Sequence, residues 1–313
     1  MWFDRFLEDK VGVGTLKLEF EGGEVRSYGG GKPCAYFERP DMDLEEAQHA
    51  KCEHIRKKLL LRPGDTVLDI GCGWGSLALH LARREDVRVV GVTLSEEQLR
   101  VARQRAWEEG LEDRVEIRLQ DYREVPETFD RVVSVGMFEH VGAPYFGTYF
   151  RKVRDALAPD GVALIHTIGR LTQPSLTNPW IRRHIFPGGC IPALSEAAAA
   201  VERSGLVQAD IEILRLHYAL TLAHWQQRFQ ALRSIVAERM GERFCRMWEF
   251  YLAVSEAAFR WRGMAVFQLQ LVRDPCAAPW TRDYLYTGGV GQREVERALE
   301  AAVDTNLSAG IVR

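Results

Sequence analysis

A mostly parallel α/β sheet with helices on both faces is the fold class this sequence predicts, and three observations carry it. Short, uniformly apolar strands alternate with helical stretches from residue 66 onward, the pattern of strands buried on both faces. One of them, 66–70, runs into the glycine-rich turn Gly71-Cys72-Gly73-Trp74-Gly75 and then a helix, where open α/β sheets bind nucleotides. The chain has 313 residues, 46% of them hydrophobic, and 41 Lys and Arg against 44 Asp and Glu, a net charge of −3. That length suffices for one large domain with appendages or for two small ones, and that balance excludes a disordered, collagen-like or nucleic-acid-arm chain.

The chain opens on a helical spacing over 1–11, where Trp2, Phe3, Phe6, Leu7 and Val11 share one side. A packing helix is favoured there over a membrane foot because the segment is short and not basic. Residues 15–20 and 24–27 alternate around Glu21-Gly22-Gly23 as a small hairpin, and Gly29-Gly30-Gly31 reads as a joint. Asp43 and Glu46 form a capping pair for a helix that runs through Leu61 and stops at Pro63-Gly64. Strands are then expected at 66–70, 87–92, 115–119, 131–135 and 162–168, with helices at 76–84, 95–109 (capped by Ser95 and Gln98) and 145–157. Beyond Gly169, Pro174, Pro179, Pro187 and Pro192 cut the chain into short pieces before a helix at 195–204, an insertion of the kind that carries substrate contacts. A strand at 207–216, helices at 218–240 and 243–261 and a strand at 266–272 follow, and the tail from Asp274 is only weakly periodic. The expected division is 1–31, 32–273 and 274–313.

The six cysteines form no CxxC pair, the charged start lacks a signal peptide's apolar stretch, and the apolar runs, such as 162–165, fall far short of the ~20 residues a membrane span needs. A cytoplasmic protein that meets membranes from outside is therefore expected, with no metal and no nucleic acid.

The glycines are spaced GxGxG rather than GxGxxG, and Gly91-Val92-Thr93-Leu94 stands where an acidic residue would hold the ribose of NAD. A dehydrogenase is thereby the weaker reading. A cofactor without a pyrophosphate needs only the close turn and side chains for its amino-acid and adenosyl ends, and S-adenosylmethionine fits that description. Taken alone, the loop also admits a simple packing turn.

Longer strings carry a resemblance. Val67 to Gly75, Gly91-Val92-Thr93-Leu94-Ser95 with Gln98, Gln120-Asp121-Tyr122-Arg123, the run Ser134-Val135-Gly136-Met137-Phe138-Glu139-His140-Val141-Gly142, Phe186-Pro187-Gly188-Gly189 and Tyr251-Leu252 resemble the cyclopropane-fatty-acyl-phospholipid synthase family, which includes the mycolic acid cyclopropane synthases. The match runs from about residue 34 to 272, and its Met-Phe-Glu-His and Phe-Pro-Gly-Gly segments are far more specific than the glycine loop. The resemblance implies a Rossmann-like class I methyltransferase with a seven-stranded, mostly parallel sheet whose last strand is antiparallel, helices on both faces and a helical substrate-binding insertion. It also implies methylene transfer from S-adenosylmethionine to the cis double bond of an unsaturated acyl chain, usually on a phospholipid, with peripheral membrane contact and a homodimer. Carried over by position, Asp69, Gly71, Gly73, Trp74, Gly75, Thr93, Leu94, Gln98, Asp121, Tyr122 and Val135 would line the cofactor. A bicarbonate ion would be held by Glu139, His166 and Tyr251, with backbone help at Cys34 and Ile168.

The chemistry explains why such residues are needed. An alkene is a feeble nucleophile, so it must lie in line with the sulfonium methyl in a dry cavity. Attack leaves a carbocation, and a base that does not capture it must remove a proton from the new methyl for the ring to close. Bicarbonate beside Glu139 requires a shared proton. Phe138, Tyr36 and Phe37 offer aromatic faces to the cation. Plainer readings stand alongside: Glu139 as a helix-cap partner, His166 as a satisfied core histidine, Tyr251 as packing, and Cys34 as a small buried hydrophobe. His140 and Cys72 are assigned to structure, and Arg182-Arg183-His184 and 260–262 to solvated faces that phospholipid head groups would also welcome.

The sequence departs from the family before Cys34. A Tyr-Ser pair belongs there, and Gly29-Gly30-Gly31-Lys32-Pro33 stands in its place; the hairpin before it resembles a remnant of a larger N-terminal domain. An incomplete lid follows as an expectation. The competing functions are methyl transfer that leaves a branched chain, methyl transfer to a small molecule, and a catalytically inactive relative that binds cofactor or lipid.

Overall fold

The computed structural model describes residues 34–286 and the backbone of two short strands near the start of the chain. Those strands, β1 (Leu18–Phe20) and β2 (Gly23–Val25), pair antiparallel with Phe20 opposite Gly23, which bears out the hairpin. The expected helix over 1–11, the glycine joint and the tail beyond 286 lie outside the described residues.

The main sheet is built from β3 (Thr66–Ile70), β4 (Arg88–Thr93), β5 (Val115–Leu119), β6 (Phe129–Val135), β7 (Leu157–Arg170), β8 (Val207–Leu214) and β9 (Met264–Val272). Its order is β5-β4-β3-β6-β7-β9-β8, parallel throughout except for β9, which runs antiparallel to both β7 and β8. This is the class I methyltransferase arrangement. The reversal of order at β3 opens a crevice at the carboxyl ends of β3 and β6, where a ligand is to be expected.

Helices cover both faces. α1 (Leu44–Lys58), α2 (Ser76–Arg84) and α3 (Glu96–Glu108) lie on one, and Ile55, Leu79, Leu81 and Ala102 pack there on Val67, Val89, Val133 and Leu164. α4 (Phe146–Ala156) and α6 (Leu194–Ser204) lie on the other, where Phe146, Phe150, Val153 and Val201 meet Leu68, Val132, Ala163 and Ile165. Residue parity thus sends successive side chains of one strand into two different cores.

Capping sets α1 as the sequence predicts. Glu46 N–H donates to Asp43 at 2.7 Å, and the Asp43 N–H donates to the Glu46 carboxylate at 3.1 Å. The helix stops at Lys58, short of the expected Leu61, because Leu60 takes φ +53, a left-handed turn that directs the chain into β3. β7 is longer than expected, since its pairing with β9 continues to Arg170 opposite Met264.

The proline-cut insertion holds α5 (Pro179–His184), and the two long helices α7 (His217–Met240) and α8 (Glu242–Trp261) follow β8. Their apolar sides enclose a third cluster containing Cys34, Ile185, Tyr218, Leu222, Tyr251, Leu252 and Val266, with Ile168 and Phe186 at its margin. Residues 274–286 fold back on the domain: Lys57 Nζ donates to the Leu285 carbonyl at 2.7 Å, and Tyr284 is buried beside Gln270. Among the described residues, no helix is long and apolar enough to cross a membrane.

Candidate active site

The glycine turn after β3 demands glycine for two separate reasons. Gly71, Gly73 and Gly75 all have positive φ (+79, +54 and +77), which L side chains rarely adopt. At Gly71 a Cβ would also lie 2.9 Å from Met137 Cγ, so the turn is pressed against the segment that leads into Glu139. At Gly73 nothing lies within 4 Å of that position, which leaves open space above the loop. The amides of Gly71 and Cys72 both donate to the Val92 carbonyl, at 3.0 and 3.1 Å, and fasten the turn to β4. Cys72 is structural, as expected: its side chain fills the space a Cβ at Gly91 would need.

The expected cofactor residues gather around this turn. Thr93 Oγ1 donates to Gln98 Oε1 at 2.7 Å, so the end of β4 and the first turn of α3 are locked together. Leu94 is exposed, and Tyr122 is half-buried with its ring edge-on to Tyr149. Asp121 is engaged by the Arg123 guanidinium, which holds its carboxyl below the usual range. Asp69 is buried in β3 between Gly91 and Val133, and its Oδ2 has no hydrogen-bond partner. Burial pushes its pKa up to about 7. Trp74 anchors the loop from outside, its carbonyl accepting from Arg105 at 2.7 Å.

Glu139 lies in a 3₁₀ turn (Phe138–His140) directly after β6. Its Oε1 accepts from the Ile168 amide at 2.6 Å, while Oε2 is sealed from solvent without a partner. Burial, opposed by the Ile168 amide, the residue's own amide and the Thr167 hydroxyl, raises its pKa to about 7. His166 stands one step back on β7, in register between Val135 and Gln268. Its Nδ1 lies 3.2 Å from Gln268 Nε2, and its Nε2 is buried without a partner. Burial lowers its pKa to about 3, with Lys51, His54 and Lys58 adding to the effect, so the ring is neutral at pH 7.

The structure therefore brings Glu139 and Ile168 together, with His166 two residues back on β7, but it spends the Ile168 amide on Glu139 itself. The Glu139 carbonyl accepts from the Cys190 amide at 2.9 Å, which ties the Phe186-Pro187-Gly188-Gly189 turn down beside it. Cys34 is fully buried, and burial pushes its thiol up, so the thiolate is disfavoured. Tyr251 is buried between Phe186 and Trp248, and its hydroxyl finds Ser255 one turn on. Sequence reasoning missed Tyr218. Its hydroxyl is buried and feels Tyr251, Cys34 and Glu139 together, which places it centrally among the expected residues. A tyrosine following Leu216-His217 at the start of a long helix carries no pattern that would have singled it out.

The aromatic rings offered to a cation all have close ring neighbours. Phe138 is fully buried in another core, 4.4 Å from Phe146 and 5.0 Å from Tyr149. Tyr36 stacks with both His54, at 4.2 Å, and His217, at 5.0 Å, and Phe37 stacks on His224. Imidazoles hold these rings as the strap before α1 docks on α7, with Phe37 N–H donating to His217 Nδ1 at 3.0 Å.

Away from this site, among the described residues, His49, Glu53 and His80 have ligand atoms within 4.8 Å of one another. Arg56 and Arg84 already engage the Glu53 carboxylate, at 2.8 and 3.3 Å, so cations of the protein occupy the position of a metal.

Residues 26–269 match the family described as mycolic acid cyclopropane synthetase. The chain is 45% identical over 240 residues to a cyclopropane-fatty-acyl-phospholipid synthase of Escherichia coli strain K12, covering 77% of this chain and 61% of that enzyme. The chain thus spans about three fifths of that relative's length. Among solved structures, the cyclopropane synthase MmaA2 from Mycobacterium tuberculosis superposes with a TM-score of 0.70 at 36% identity, covering 76% of this chain and 88% of that one. The cyclopropane synthase CmaA1, solved with SAH and CTAB, gives 0.70 at 33% identity over the same shares.

Proposed function

The chain belongs to the mycolic acid cyclopropane synthetase family, and on that premise we propose that it transfers a methylene group from S-adenosylmethionine to the cis double bond of an unsaturated acyl chain on a phospholipid. The observation that carries this reading is that Glu139 Oε2 and His166 Nε2, at two of the positions the family resemblance singles out, are both buried without a partner, with Glu139 in electrostatic reach of Tyr218. A core built only for packing leaves few such groups unpaired.

The residues fit both small molecules the reaction needs. The open space above Gly73, the buried orphan Oδ2 of Asp69 and the Thr93–Gln98 pair suit a cofactor with a cationic amino-acid end and an adenosyl end. Glu139, the neutral His166 and the hydroxyls of Tyr218 and Tyr251 suit a bicarbonate ion. When bound, S-adenosylmethionine supplies the electrophilic methyl, and bicarbonate supplies a base that is weakly nucleophilic.

The protein's own part follows from burial and charge. Glu139 is poised to carry a proton at neutral pH, so it donates to an anion rather than repelling it. His166 offers an N–H without a positive charge. The apolar lining from Ile185, Leu222, Leu252 and Val266 excludes the water that would quench a carbocation. Exposed Leu171, Leu176, Phe250 and Trp261, near the basic residues of α5 and the end of α8, support peripheral membrane contact.

The test is incubation with unsaturated phospholipid vesicles, bicarbonate and S-adenosylmethionine labelled at the methyl group, read by mass spectrometry of the fatty acids. A labelled gain of one CH2 that disappears in Glu139→Gln is the expected result. Measured cofactor binding with no label in any lipid would overturn the reading and move the weight to a small-molecule acceptor or an inactive relative.

A further inference from the structure

β9 is apolar on one face, where Phe267, Leu269 and Leu271 enter the α4 core, and carries Gln268 and Gln270 on the other. Both glutamines are buried, which is costly for a carboxamide unless it is used. Gln270 has evident employment: its Nε2 donates to the Lys58 carbonyl at 2.7 Å and reaches the Tyr284 hydroxyl at 3.2 Å. Among the described residues, the Gln268 side chain makes a single hydrogen bond, from Nε2 to His166 Nδ1 at 3.2 Å, across the β7–β9 register that sets the two residues opposite each other. Its Oε1 has no partner, so the side chain has no other anchor that would account for its presence.

We propose that Gln268 is a positioning residue: by donating its carboxamide N–H to His166 Nδ1 it fixes the imidazole tautomer that carries its proton on Nε2, the ring nitrogen left without a partner. A neutral imidazole has one donor and one acceptor, so occupying Nδ1 as acceptor places the hydrogen on Nε2. A donor is what an anion or a bound oxygen at that site requires. Burial keeps a second proton off this ring, with Lys51, His54 and Lys58 from α1 acting in the same direction and Glu212 from β8 opposing them. The inference rests on the bicarbonate reading for its purpose, but the tautomer itself does not depend on that reading.

The experiment is long-range ¹H–¹⁵N correlation NMR of the histidine-labelled full chain, with His166 assigned by its absence in His166→Gln. The wild type should show the Nε2–H tautomer at pH 7. A wild type with the proton on Nδ1 overturns the proposal without any variant. Gln268→Leu removes the donor and should release the ring to the other tautomer or a mixture, and the bicarbonate concentration for half-maximal activity should rise about 10-fold or more. Should Gln268→Leu not fold, Gln268→Glu presents an acceptor to Nδ1 and should draw the proton there. An unchanged tautomer in a folded variant with either substitution at Gln268 overturns the proposal. Wild-type activity indifferent to bicarbonate would instead remove the anion reading and leave the tautomer result standing.

Discussion

A carboxyl whose pKa burial has raised to about 7 carries a penalty whenever it is ionised, and Glu139 is such a group. Between the ordinary carboxylate range and pH 7 the folded protein holds a proton that the unfolded chain has lost, so stability falls as pH rises through that window. Glu139→Gln cannot ionise. Its melting temperature relative to wild type should therefore climb from pH 5 to pH 8 in parallel scanning calorimetry, while methyl transfer drops on the order of 10²-fold or more. A flat difference across pH would show that the carboxyl is not held in its neutral form. The two tyrosines should separate in the same assay. Tyr218→Phe should lower kcat with labelled S-adenosylmethionine by roughly 10²-fold, because its hydroxyl feels both Glu139 and Cys34. Tyr251→Phe should cost less, since that hydroxyl has Ser255 for a partner.

At the level of elements, the glycine turn joins β3 to α2 and also presses on the segment bearing Glu139. Gly71→Ala meets both a positive φ and the Met137 side chain, whereas Gly73→Ala meets only the φ. Expected losses are about 2–3 kcal/mol for the first and about 1 kcal/mol for the second by urea unfolding. Gly71→Ala should weaken S-adenosylmethionine binding in calorimetry even where the protein still folds, because the turn and the Glu139 segment must move apart. Equal effects at the two positions would mean that the Met137 contact does not matter.

Across the whole molecule, a buried polar layer joins α1 to the β8 edge of the sheet. Lys58 is fully buried and pairs with Glu212 at 2.6 Å and Asp210 at 3.2 Å, while His54 reaches Glu212 at 2.6 Å. Burial alone would raise Glu212, but His54 and Lys58 hold it down at about 2. Lys58→Met removes the buried cation shared by two carboxylates, leaving Glu212 to His54 and Asp210 to Arg282, and should destabilise the protein by about 3–5 kcal/mol in chemical denaturation. A loss under 1 kcal/mol would show that Arg282, which also engages Asp210, suffices to hold the layer.

The sequence by itself determined the sheet and its cofactor end. Short, uniformly apolar runs, the Asp43–Glu46 cap, and glycines at three positions of positive φ are local facts, and local facts are written in neighbouring residues. Glu139 stood out for a different reason, since it stands in the specific string Met137-Phe138-Glu139-His140 after a strand, whereas His166 lies inside an apolar run and was reached only through the resemblance. What the tertiary structure decided is who faces whom. Gln268 meets His166 across 102 positions of chain, and Phe37 meets His217 across 180. Phe138 turned into the α4 core, and Tyr218 entered the site from a helix whose pattern read only as packing. Such contacts depend on strand register and on which face of the sheet each parity serves, and no window along the sequence contains both partners.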